Sequence, residues 1–369
     1  MKPGIIAFYL PQYHPFPEND EWWGRGFTEW TNVGKAKPLF KGHNQPRVPT
    51  ELGYYDLRLP VVREQQAQLA REAGVTAFCY WHYWFGNGKR LIADVFDEVL
   101  STGKPDFPFC LGWANHSWYA KNWNSDGTTK QKLLIEQTYP GINDEKEHFA
   151  FLLKAFQDKR YVKVERKPLL YIFDPINIPR SYVSNLKQWT KDYGFNDLYL
   201  VANISNLNVD RAELYAKGFD AVSYQRLGTP KPTWLQLQGE WGQHIYAAYK
   251  RMIGFIRHRP PLMYDYKDIY HNLVQPCDAD IRVIPTLLPQ WDHTPRSGWN
   301  GHLLVNATPE MFKRHAREVL NIVKNKPNNY QLVFLKSWNE WGEGNMMEPD
   351  ITFGRGFVDA LREVLKEFS

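Results

Sequence analysis

QLVFLKSWNEWGEGNMMEPD, Gln331 to Asp350, is an apolar run that breaks off into acids, indoles and glycines. Its first half is too apolar for a strand with one wet face, so the chain there expects cover on both sides, as in a parallel sheet. Seven other runs read the same way: GIIAFYL from Gly4, VTAFCYW from Val75, PFCLGWA from Pro108, PLLYIFD from Pro168, LYLVANI from Leu198, DAVSYQ from Asp220 and IRVIPTLL from Ile281. Amphipathic stretches separate them. LPVVREQQAQLAREAG carries Pro60 at its start and Gly74 at its stop, and NDEKEHFAFLLKAFQD opens on Asn143 as a candidate cap. LIADVFDEVL, YVSNLKQWTKDYG, VDRAELYAKG, TPEMFKRHAREVLNIVKN and FVDALREVLKEF complete the set. Eight strand and helix alternations predict an α/β fold, a (β/α)8 barrel, with residues 1–369 as one catalytic domain. A doubly wound open sheet is the alternative, but it usually has fewer strands, and no GxGxxG follows the first run. Pro11 to Leu59 and roughly Gly228 to Asp280 fall outside the alternation and read as long βα insertions, the second with a helix around IYAAYKRMIGFIRH.

The composition is that of a globular chain with room for a large core: 369 residues, 43% hydrophobic and 23% charged. Lys and Arg number 45 against 40 Asp and Glu, with no basic cluster beyond pairs such as Lys250-Arg251, so nucleic acid is not an expected partner. Cys79, Cys110 and Cys277 are too few and too scattered for a zinc site or a disulfide framework and read as free thiols. No apolar stretch is long enough to span a membrane. GIIAFYL begins at Gly4, so the sequence as it stands reads as cytoplasmic; a removed leader would make it periplasmic or secreted.

Chemistry in such a barrel collects at the carboxyl ends of the strands. The residues there are Tyr9, Gln12, Tyr13 and His14 after the first run, Tyr80 to Trp84 after the second, and Trp113, Asn115, His116 and Trp118 after the third. Asp174, Asn203 with Asn206, Tyr224 with Gln225, and Gln290 to His293 follow in turn. Aromatic planes suit the flat C–H faces of sugars, and amides, imidazoles and carboxylates suit their hydroxyls. With 15 Trp in the chain, this mouth reads as a carbohydrate site rather than a phosphate site, which would need glycine-rich loops and paired cations. The candidate substrate-binding set is Tyr9, His14, Trp30, Tyr80, His82, Trp84, Trp113, Asn115, His116, Trp118, Asn203, Gln225, Trp291, Trp338, Asn339 and Glu348.

Glu340 and Glu343 are the candidate catalytic residues. Three apart, they would oppose each other on a strand, so they must lie beyond it, on a turn that Gly342 and Gly344 permit. Two adjacent carboxyls among indoles are expected to have separated pKa values, one protonated and one ionised, which is the equipment of glycoside cleavage. No cofactor is expected, and no metal, since no HExxH or comparable His pair occurs; no GxSxG nucleophile elbow occurs either. The DAD of Asp278 to Asp280 imitates the Asp-x-Asp of nucleotide-sugar transferases, but it precedes the seventh run, at the wrong end of the barrel.

IAFYLPQYHPFPENDEWWGRGFTEWTNVGKAKPLFKGHNQP, ELGYYDLRLP, GKPDFPFCLGWAN and SWNEWGEGNMMEPD together resemble the WbsX-type family, related to glycoside hydrolase family 99, over essentially the whole chain. The resemblance implies a (β/α)8 barrel. It further implies a retaining hydrolase of α-mannosides or related sugars, acting on an oligosaccharide or polysaccharide. In it Glu340 would deprotonate the 2-hydroxyl, which closes onto its own anomeric carbon, while Glu343 would serve the leaving oxygen as acid and then water as base. His116, in WANHSW, stands where the family commonly has an acid. WbsX-type proteins are often labelled lipopolysaccharide or O-antigen glycosyltransferases, the second functional reading; a carbohydrate-binding barrel without catalysis is the third.

Overall fold

The computed structural model describes residues 3–368 apart from 124–128, 206–208, 227–244 and seven scattered positions between 246 and 257. Asn206 and half of the residues of the helix expected around 245–258 therefore lie outside the described residues.

All eight apolar runs contribute to one parallel barrel. Its strands are β1 (Gly4–Tyr9), β2 (Ala77–Trp84), β3 (Phe109–Trp113), β4 (Lys167–Ile172), β5 (Tyr199–Ile204), β6 (Ala221–Tyr224), β7 (Thr286–Leu287) and β8 (Leu332–Leu335). They run in the order β6-β5-β4-β3-β2-β1-β8-β7. The ring closes where Val222 of β6 pairs in parallel with Val283, just before β7; the Val222 N–H donates to the Arg282 carbonyl and the Ile284 N–H to that of Val222, both at 2.8 Å. The shell helices are α1 (Pro60–Ala73), α2 (Asp94–Thr102), α3 (Ile142–Gln157), α4 (Arg180–Asp192), α5 (Arg211–Lys217), α6 (Tyr266–Leu273), α7 (Pro309–Val323) and α8 (Gly356–Glu367). No helix among the described residues is long and apolar enough to cross a membrane.

The punctuation of the helices follows their sequence. Pro60 opens α1, where its missing N–H costs nothing, and Gly74 closes it in the left-handed conformation, φ +88°. Thr308 caps α7 by accepting from the Met311 N–H, and Asp210 caps α5 by accepting from Ala212. The cap of α3 is a correction: Gly141 holds that place and Asn143 lies inside the first turn.

Parallel register gives every strand an inner and an outer face. Phe8 of β1, Trp81 of β2, Tyr171 of β4 and Phe334 of β8 meet inside the barrel, Phe8 lying 4.8 Å from Trp81, 4.9 Å from Tyr171 and 5.1 Å from Phe334 between ring centroids. Gly112 of β3 completes this layer, because a Cβ there would come within 3.1 Å of the Trp81 ring. Each such buried ring is worth about 1.5–3 kcal/mol in apolar transfer. The opposite parity of the same strands packs outward under the helices.

Candidate active site

Beyond β8 the chain makes a small hairpin, Asn339 and Glu340 pairing antiparallel with Met346 and Asn345. Between them Trp341–Glu343 form one 3-10 turn that Gly344 ends at φ +54°, a conformation in which glycine has no steric penalty. This turn brings Glu340 and Glu343 to one side. Gly342 serves a different purpose from the one its sequence position implies. Its φ is ordinary, but a Cβ would stand 2.2 Å from a carboxylate oxygen of Glu29, so its bareness admits Glu29 beneath the turn.

Glu29 arrives on the short helix Glu29–Lys35, in the insertion after β1. It holds Arg296, which donates to Glu29 Oε2 through Nε at 3.1 Å and lies 3.0 Å from it through Nη2. The same guanidinium donates through Nη1 to Glu343 Oε1 at 2.6 Å, and His293 Nε2 stands 3.7 Å from that oxygen. Arg296 and His293 both follow β7, whose loop is pinned by Asp292. The Asp292 N–H donates to the Glu343 carbonyl at 2.7 Å, and its carboxylate accepts from Gln45 and Thr294 and faces His43 Nε2 at 2.9 Å. Burial raises the Asp292 pKa, but these partners outweigh it and hold the group below the usual range.

The two catalytic candidates are pushed apart. Burial and the charge of Glu343 drive the Glu340 carboxyl above the ordinary range. Burial acts the same way on Glu343, but Arg296, His293 and Lys336 overcome it and hold Glu343 well below. Of the two, Glu340 is therefore the one that favours its proton and Glu343 the one that favours its charge. Burial disfavours the Arg296 charge, yet Glu29 and Glu343 keep its pKa above normal.

The structure separates the sixteen candidate binding residues by strand parity. Trp81 faces inward and donates from Nε1 to Glu340 Oε1 at 3.0 Å. Tyr83 shares its parity and sits edge-on to Trp118 at 5.1 Å. Around the same mouth stand His116, 4.6 Å from the Phe173 ring, and Asn203, which accepts from the Tyr171 hydroxyl at 2.9 Å. Gln225 accepts from Lys336 Nζ at 3.0 Å, and that ammonium lies 4.7 Å above the Trp291 ring. His116, Trp118, Asn203, Gln225 and Trp291 are thus brought together with the glutamates.

Tyr80, His82 and Trp84 are on the other face of β2. Tyr80 packs against Phe96 of α2, His82 Nε2 bonds His148 Nε2 of α3 at 2.9 Å, and Trp84 Nε1 donates to Asp144. Trp113 packs on His148 and Tyr182, and the Tyr9 hydroxyl donates to Gln66 of α1. Burial holds His82 and His148 well below the usual histidine pKa, so this is a neutral pair. Trp338 packs on Phe78, and His14 is buried beside Phe16. Asn115 and Asn339 tie backbone to backbone, the first to Asp174 and the second to Leu10. Trp30 donates to the Tyr55 carbonyl and packs near Trp341. Glu348 lies beneath the hairpin and accepts from Tyr55, Gln66 and Trp341. These eleven positions build the fold around the mouth. Trp81, Tyr83, Glu29, Arg296 and Lys336 are the site residues missing from the candidate set. Strand alternation counted back from Phe8 would have found the first two.

Among the described residues no group of three or more His, Cys, Asp or Glu side chains is arranged to hold a metal. Asp278 and Asp280 hold Arg226 and Arg211 in ion pairs, and Cys79, Cys110 and Cys277 are free. A surface depression lined by Gly103, Lys104, Asp106, Asp158, Lys159 and Arg160 opens at the amino ends of the strands, remote from the glutamates.

Residues 5–361 match the family described as Glycosyltransferase WbsX. Uncharacterized protein WxcX of Xanthomonas campestris pv. campestris strain B100 is 34% identical over 369 residues, covering 98% of this chain and 49% of that protein. The chain therefore spans about half the length of the curated relatives it matches. Among solved structures, a GH99 endo-α-mannosidase from Bacteroides thetaiotaomicron aligns with a TM-score of 0.59 at 14% identity, over 99% of this chain and 97% of that one. A glycoside hydrolase-like protein aligns at 0.56 and 16%, over 99% and 94%. At such identities the likeness is one of fold.

Proposed function

The chain belongs to the WbsX family, and we propose that it is a glycoside hydrolase, one catalytic domain that cleaves a glycan at the carboxyl end of the barrel with Glu340 and Glu343 as its acid and base. The observation that carries this reading is that one turn places two buried carboxyls at the barrel mouth in unlike surroundings, Glu343 against the Arg296 guanidinium and Glu340 against the Trp81 indole, so that their pKa values are driven apart. Glycosidic cleavage needs one group to protonate the leaving oxygen and another to accept a proton, and a pair in one ionisation state supplies neither combination. The Trp81 N–H holds Glu340 in place, and the Arg296 guanidinium holds Glu343.

In the proposed sequence a carboxylate takes the proton of the substrate's 2-hydroxyl, whose oxygen attacks the anomeric carbon as the bond to the leaving oxygen breaks and is protonated by the partner carboxyl. Water then opens the anhydro sugar at the same carbon, and two inversions retain the configuration. The roles implied by family resemblance give Glu340 the 2-hydroxyl, whereas burial and the charge of Glu343 favour a proton on Glu340. In this reading the proton passes to Glu343 as sugar binds. An α-mannoside or related sugar is the substrate class this reading takes from the structural neighbours.

The test is incubation with a panel of polysaccharides and, separately, with nucleotide sugars and acceptors. Release of oligosaccharide without nucleotide is expected, with Glu340→Gln and Glu343→Gln each lowering turnover by about 10² to 10⁴. Nucleotide release with no oligosaccharide, or full activity in either variant, would overturn it and favour the transferase activity in the family's description.

A further inference from the structure

Lys336 sits between the acid pair and a narrow recess at the carboxyl ends of β6 and β7. It follows Phe334 at the same parity, so it points into the barrel, and it is 9% exposed. Its charge bears on both Glu340 and Glu343, yet among the described residues no carboxylate lies within ion-pairing distance. It has the Gln225 amide oxygen at 3.0 Å and the Trp291 face at 4.7 Å. The recess is lined by Lys336 with Tyr224, Gln225, Arg226, Thr286 and Leu288.

Arg226, across the recess, shows the contrast. It is held by both oxygens of buried Asp278, at 3.0 and 2.8 Å, so its charge is answered within the protein. Burying a cation without a carboxylate is costly, because a neutral amide and an aromatic face replace only part of its hydration. Glu343 is already clamped by Arg296 at 2.6 Å, and Lys336 acts on it only from beyond ion-pairing distance. What remains is a cation beside the two glutamates, over a recess too narrow for a sugar ring.

We propose that Lys336, with Gln225 and Thr286, forms a subsite for the carboxylate of an acidic sugar residue, so that the glycan taken by this mouth is anionic. The identity of the ligand as a sugar rests on the hydrolase reading above. Binding and cleavage are separable, so the experiment measures binding in the Glu343→Gln chain. Isothermal titration with polygalacturonate, glucuronoxylan and hyaluronan is compared with titration of the same polymers after chemical reduction of their carboxyls to alcohols. At least one acidic form is expected to bind roughly ten-fold or more tighter than its reduced counterpart. Lys336→Met in the same background should bring that ratio to near one, and Lys336→Arg should retain most of it, with circular dichroism showing that both variants fold. Equal binding of acidic and reduced forms, no binding of any acidic form, or a Lys336→Met loss equal on both would overturn the proposal. If acidic polymers bind through Lys336 but are not cleaved by the unmodified chain, the subsite stands and the hydrolase reading fails.

Discussion

Strand β2 presents five rings in a row, Tyr80 to Trp84, and they belong to two different regions of the molecule. Trp81 and Tyr83 face the mouth, where the indole N–H of Trp81 reaches Glu340. Tyr80, His82 and Trp84 face the helical shell, where His82 and Trp84 meet His148 and Asp144. The shell side has its polar atoms answered by neutral or fixed partners. The mouth side has an ion chain, Glu29, Arg296 and Glu343, beside the buried Glu340 carboxyl, whose pKa is raised. Aromatic richness is therefore common to both faces, and what distinguishes the mouth is charge held close to the two glutamates. Each substitution below bears on that contrast.

Arg296→Gln should act most strongly after the glutamates themselves. It leaves Glu29 and Glu343 adjacent without their shared cation, at a cost of about 3 kcal/mol. The folded pKa of Glu343 is depressed, so its contribution to stability is present above the unfolded carboxyl range and lost as pH falls through the folded value. The deficit of the variant should accordingly be large at pH 7 and shrink at acidic pH, measured by urea unfolding across pH. The acid limb of the activity profile, which reports protonation of Glu343, should move to higher pH. An unmoved acid limb would deny Arg296 its hold on Glu343.

How much of this was legible in sequence follows from the range of each cause. The barrel was, because eight apolar runs and their helix signals are local, and so was the acid pair, since turn and carboxyls lie within Glu340 to Gly344. The ion chain was not. Glu29 and Arg296 are 267 positions apart, and only the fold sets both against Gly342, whose bareness looked like turn chemistry. The choice among Tyr80 to Trp84 was recoverable: period-two alternation puts Trp81 and Tyr83 on one face, and the register with Phe8 says which face is inside.

Glu348 sharpens the comparison from the other side, as a buried acid whose partners are all neutral. Tyr55, Gln66 and Trp341 donate to it at 2.8, 2.7 and 2.7 Å. Burial pushes its pKa up to about 7, against those donors. Glu348→Gln keeps the shape but turns an amide N–H toward a donor, which should cost about 1–3 kcal/mol. A raised folded pKa gives stability that is present below the unfolded carboxyl pKa and lost as pH rises through about 7. The gap between the parent chain and the variant should therefore be wider at pH 5 than at pH 8 in denaturant titrations. Because Glu348 stands apart from the mouth, kcat on a cleaved glycan should change far less than in Glu343→Gln; a loss of comparable size would move Glu348 into the catalytic group.

The smallest effects separate the two faces of β2 most directly. Trp84→Phe removes one donor to Asp144, whose carboxylate keeps the Gly88 N–H at 3.0 Å, so stability should fall by about 1 kcal/mol. Its kcat and KM should hold, since the ring lies under α3, stacked on His148 at 4.8 Å. Trp81→Phe removes a similar N–H donor, but from Glu340. That bond favours the ionised carboxyl, so without it the Glu340 pKa should rise further and the alkaline limb of the activity profile should shift upward. A matched pair of pH profiles decides the matter: if Trp84→Phe moves a limb, or Trp81→Phe moves none, the division of this strand into a shell face and a working face is wrong.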